Sequence, residues 1–121
     1  MKPLIFLIII LFLTGCNQDP VWAKEYTNEQ IANAIYWAEG GAKAKVPYGI
    51  LSIKVKDKAE ARQICFNTIR NQRIRHAKHN CGLDFISCLG SRYCPIGAKN
   101  DPKGLNKNWV KNVKFYLEKQ K

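Results

Sequence analysis

Residues 4 to 13 form an unbroken apolar run behind the basic Lys2, and beyond them apolar and polar positions interleave. Ten residues are too few for a membrane-spanning helix, which takes about 20, but they match the hydrophobic region of a secretory signal peptide. The rest of the chain divides into amphipathic segments. Thr27-Asn28-Glu29-Gln30 has the form of a capping box with Gln30 in the reciprocating position, and Ile31, Ala34, Ile35 and Ala38 follow at helical spacing. A first helix is therefore predicted up to Gly40-Gly41, where glycine supplies a left-handed cap. Pro47 and Gly49 break that pattern, and the second half of Ile50 to Lys56 alternates apolar and polar, which predicts a loop and one short β-hairpin. Asp57 and Glu60 start a second helix, carried to about residue 77 by the stripe Ala61, Ile64, Cys65, Thr68 and Ile69. Leu83 to Leu89 predicts a short helix opened by Asp84 and ended by Gly90. After a proline- and glycine-rich loop, a last helix over about residues 106 to 119 buries Trp109, Val110, Val113, Tyr116 and Leu117.

With 121 residues there is room for one small domain, and large multi-domain machines are excluded. The expected organisation is a signal peptide over residues 1–15, a lipid anchor and tether over 16–26, and one domain over 27–121. The fold class is α+β, mainly α, with the hairpin following the first helix. Leu13-Thr14-Gly15-Cys16 resembles a bacterial lipobox, whose cysteine is acylated and becomes the first mature residue. Ordinary cleavage after Ala23, behind Val21-Trp22-Ala23, is the alternative, but Ala23 lies ten residues beyond the apolar run. Lipidation at Cys16 implies an exported protein held in the cell envelope, and Asn17 resembles the signal of lipoproteins sent to the outer membrane, facing the periplasm.

Removing Cys16 leaves Cys65, Cys81, Cys88 and Cys94, an even number in an oxidising compartment. Two disulfides are expected, and three connectivities are open. His76, His79 and Cys81 lie close in sequence, yet no C-x-x-C pair accompanies them, so no metal site is assigned and no cofactor is implied. The 20 Lys and Arg residues against 9 Asp and Glu give a net charge of +11. A chain so charged attracts polyanions. For an exported protein these are cell-wall polymers and anionic lipid headgroups rather than nucleic acid, and the alternative is a solvated face that only maintains solubility.

Among the carboxylates, Glu39 stands out. It ends an apolar helix, where unsatisfied carbonyls disfavour a negative charge, and Trp37, Ala38 and the glycine pair surround it. Such a placement raises its pKa and keeps it protonated, as a general acid requires. The alternative is an exposed glutamate at a frayed helix end.

The ordered set Ile35-Tyr36-Trp37-Ala38-Glu39-Gly40-Gly41 and Pro47-Tyr48-Gly49-Ile50-Leu51-Ser52, then Tyr93-Cys94-Pro95 and Asn106-Lys107-Asn108-Trp109, resembles the lysozyme-like superfamily, in particular lytic transglycosylase domains of the SLT type. The resemblance covers roughly residues 28 to 117. It implies a small lysozyme-like domain that cleaves the β-1,4 bond between N-acetylmuramic acid and N-acetylglucosamine in peptidoglycan. Glu39 would be its single catalytic residue, and Tyr48, Gly49, Ser52 and Tyr93 would contact substrate. Where many transglycosylases have Glu-Ser and Gly-Leu-Met-Gln, this chain has Glu39-Gly40 and Gly49-Ile50-Leu51-Ser52, which leaves Ser52 as a partial substitute. Asp57, Glu60, Asp84, Asp101 and Glu118 have no motif reason to face Glu39, so the second carboxylate of a glycoside hydrolase is missing. The aromatics Trp37, Tyr48, Tyr93 and Trp109 either stack on sugars or fill the core. The partners expected are glycan strands and, through the lipid, a membrane, with the chain a monomer. The reading from another class is a non-catalytic cationic lipoprotein that binds glycan or anionic lipid.

Overall fold

The computed structural model describes residues 26–51, 53–79 and 81–121. The signal peptide, Cys16, nearly all of the tether and Ser52 lie outside the described residues. Four α-helices follow in order: α1 (Asn28–Ala38), α2 (Lys58–Lys78), α3 (Phe85–Tyr93) and α4 (Trp109–Glu118). Short 3-10 turns at Gly41–Lys43, Pro47–Gly49 and Leu105–Asn108 join them. None of the helices is long and apolar enough to cross a membrane.

The helix starts follow the side chains named from sequence. Thr27 and Gln30 form the capping box of α1, each accepting the other's backbone N–H. Asp57 accepts from Glu60 N–H at 2.8 Å and Asp84 from Ser87 N–H at 3.0 Å, which satisfies first-turn donors of α2 and α3. One core then closes among all four helices. Ile31, Ala32, Ala34 and Ile35 of α1 meet Ala61, Cys65 and Ile69 of α2, Ile86 and Leu89 of α3, and Trp109, Val113 and Leu117 of α4. The small Ala32, Ala34 and Ala61, all fully buried, let the helix backbones approach closely.

Three expectations need correction. The β-hairpin is not formed, since no strand occurs among the described residues and the domain is mainly helical. Pro47 removes a ladder donor, and an isolated two-stranded hairpin is marginal without a sheet to join. The alternating side chains of the segment divide instead between a buried Ile50 and exposed Leu51 and Ile53. Gly90 does not end α3, which continues to Tyr93. A Cβ at Gly90 would stand 2.8 Å from the Val110 side chain and 3.0 Å from the Trp109 ring, so this glycine serves the close crossing of α3 and α4. Finally, of the four cysteines expected in disulfides, Cys81 and Cys88 are bonded across seven residues, while Cys65 and Cys94 are thiols. Cys65 lies fully buried in the apolar stripe of α2, acting there as a small hydrophobe.

Candidate active site

Glu39 is the residue after α1, and its backbone N–H still bonds to the carbonyl of Ile35 at 2.9 Å. The chain then turns sharply through Gly40 and Gly41, at φ of 108° and 59°. This left-handed cap stops the helix at Glu39. Two other segments converge on its carboxyl group. From α4, the Trp109 indole N–H donates to Oε1 at 2.8 Å. From the turn after Pro47, Gly49 backs the carboxyl so closely that a Cβ there would lie 2.5 Å from Cδ of Glu39.

The Gly49 turn is itself strained and braced. Tyr48 adopts φ 60°, ψ 11°, a left-handed conformation rare outside glycine, Asn and Asp. Its carbonyl accepts the Tyr93 hydroxyl, its own hydroxyl accepts from the Arg62 guanidinium at 3.0 Å, and Gly49 N–H closes onto Val46 O at 3.0 Å. Arg62 also donates to Asn33 Oδ1 at 3.0 Å, tying the turn to α1 and α2 together. The Tyr93 ring stacks on Trp109 at 5.3 Å between centroids, so both braces of the site belong to one aromatic pair.

Burial raises the pKa of Glu39 above the ordinary glutamate value, and the Trp109 hydrogen bond, which favours the ionised form, only partly opposes it. The direction agrees with the expectation from sequence, but the cause is desolvation in a fold-built niche. Burial also raises the Tyr93 hydroxyl, with the neighbouring Cys65 adding to the shift, and pushes Cys94 up to about 11. Both are therefore neutral hydrogen-bonding groups near pH 7.

An open groove of about 270 Å³ runs past the carboxyl, lined among others by Glu39, Lys45, Gly49, Tyr93, Cys94 and Asn106. Its far wall is the loop after α3, held by Asp101. That buried carboxylate accepts the backbone N–H groups of Gly97, Leu105 and Asn106 at 3.1, 2.7 and 3.1 Å. Burial alone would raise its pKa, but the three donors outweigh it and hold the carboxyl below its usual range. Asn106 adds a bond to Pro95 O at 2.8 Å.

Of the residues named from sequence, Glu39, Gly49 and Tyr93 are thus brought together. Tyr48 is not on the groove as expected of a substrate contact: its side chain is 1% exposed and fills the core, and it acts on the site through its backbone. Ser52 lies outside the described residues. Trp109 was expected to fill the core or to stack on sugar, and its indole N–H bond to Glu39 is the missed contact. No local signal pairs residues 70 positions apart, although a buried tryptophan does require an acceptor. No three His, Cys, Asp or Glu side chains among the described residues are grouped to hold a metal ion. Comparison with protein-family models, with curated proteins and with solved structures finds no match to this chain.

Proposed function

We propose that this chain is a peptidoglycan-cleaving lytic transglycosylase with a lysozyme-like domain, acting on the bond between N-acetylmuramic acid and N-acetylglucosamine with Glu39 as its single catalytic carboxyl. The observation that carries the reading is the state of Glu39: partly buried, raised in pKa, fixed by one indole N–H, and lining an open groove. No other carboxylate lines that groove among the described residues. Hydrolysis with inversion or retention uses two carboxyl groups flanking the bond. One group suffices when the nucleophile belongs to the sugar. Glu39 protonates the bridging oxygen as the glycosidic bond breaks. It then accepts the proton of the muramic 6-hydroxyl as that oxygen closes on the anomeric carbon. The carboxyl ends protonated, as it began, and no water is consumed.

Tyr93, Gly49 and Trp109 hold the acid in place, and the Cys94–Asn106 loop offers backbone and amide groups to the glycan. Acylation at Cys16 would tether the domain to the outer membrane, facing the wall. Incubation of the purified protein with cell wall tests the reading. Anhydro-ended muropeptides are expected, reducing ends would mean hydrolysis, and retention on the wall without release would mean a binder. That last outcome is the rival reading, a non-catalytic cationic lipoprotein, and the exposed lysines beside the groove are what favour it.

A further inference from the structure

Beside the groove of Glu39 lies a second, larger open cavity of about 530 Å³, and the two share Lys45, Val46 and Leu51 as a common wall. The rest of its lining combines two chemistries. Ile50, Ile53 and Val55 supply an aliphatic floor, and Lys54, Lys56 and Lys58 bring ammonium groups. Lys58 rests its ammonium over the Tyr36 ring, 4.3 Å from the centroid. Lys45, Lys54 and Lys56 are exposed and join no ion pair among the described residues. Among the described residues of the lining the one carboxylate, Asp57, is engaged as the N-cap of α2. Unpaired cations gathered at an aliphatic concavity suit a short ligand with an alkyl body and free carboxylates.

We propose that this cavity takes the carboxylate-bearing peptide that a peptidoglycan strand carries on its muramic sugar, so that the chain prefers peptide-bearing over bare glycan. The identity of that ligand rests on the peptidoglycan reading above. The shared wall selects it over a lipid surface. A ligand reaching both cavities has a glycan main chain and a short anionic branch, whereas a flat membrane would not follow a concavity continuous with the groove.

The test uses the full chain carrying Glu39→Gln, so that no strand is consumed, and compares soluble glycan strands with and without their peptides, the latter made by amidase digestion. Binding at low salt is expected to be about tenfold tighter for peptide-bearing strands, as two exposed ion pairs would supply. Adding Lys54→Gln and Lys56→Gln should bring the two strands to parity without weakening binding to bare glycan. Equal affinity before those changes, a preference that survives them, or no binding to either strand overturns the proposal. So does a double variant that loses binding to phosphatidylglycerol vesicles while keeping its strand preference. If the wild type cuts neither kind of strand, the enzymatic reading falls, and the affinities still decide this one.

Discussion

At the scale of single residues, the protonation of Glu39 is expected to couple activity to stability, both falling as pH rises through its raised pKa. Its folded-state pKa is raised, so the stability it contributes is full below the ordinary glutamate value and is lost as pH rises through the raised one. Asp84 and Asp101 run the other way. Hydrogen bonds hold their carboxyls low against the opposing effect of burial, so their contribution is present above the usual aspartate value and lost as pH falls through the lowered ones. Glu39→Gln should therefore leave the acid side of the stability curve alone and remove the loss on the neutral side, which thermal unfolding against pH will read. Its turnover on cell wall should fall by about 10²- to 10⁴-fold. Trp109→Phe is the complementary change: it keeps a ring against Tyr93 but removes the N–H that stabilises the ionised carboxyl. The alkaline limb of the pH–rate profile should move to higher pH. A profile that stays in place would show that the indole does not act on the acid.

Glycines make the corresponding test at the scale of elements. Gly49 and Gly104 share φ of 66°, so alanine strains the backbone equally at each. A Cβ at Gly104 meets nothing within 4 Å, whereas at Gly49 it would collide with the Glu39 carboxyl. Gly49→Ala should thus lose activity far beyond Gly104→Ala at similar backbone cost. Gly90→Ala should destabilise by about 1–3 kcal/mol by overpacking α3 against α4, measured by denaturant titration. The starts of α1, α2 and α3 were legible because caps and first-turn donors interact within four residues. Gly90 was misread because its contacts with Val110 and Trp109 come from another part of the chain, and the 50–56 segment because its alternation of apolar and polar residues does not reveal that there is no sheet to join. The candidate site divides along the same line. Glu39 and its glycine turn are local and could be read, while the Trp109 bond and the Arg62 brace on Tyr48 exist only once the helices have packed.

For the molecule as a whole, the cysteine arrangement and the charge give two further checks. After unfolding without reductant, alkylation followed by peptide mass spectrometry should mark Cys65 and Cys94 and leave Cys81 and Cys88 unmarked. In the folded protein Cys94 should react before Cys65, which is fully buried. Reducing the bridge should cost about 2–3 kcal/mol, the chain-entropy value for so short a loop. With a net charge of +11, retention on an anionic cell wall is expected to be electrostatic, and it should fall steeply as the Debye length drops to about 3 Å near 1 M salt.

The indole bond to Glu39 spans 70 positions of the chain, and this has a consequence for the order of events in biosynthesis. While the polypeptide is being made, α1 emerges with its glutamate in water, titrating as any free side chain does. The niche that changes this chemistry needs α4, which follows every other described element. A nascent or truncated chain ending before Trp109 therefore carries the acid but not the environment that arms it. The raised pKa of Glu39 is in this way a property of the assembled helices, acquired only when α4 has packed against the end of α1.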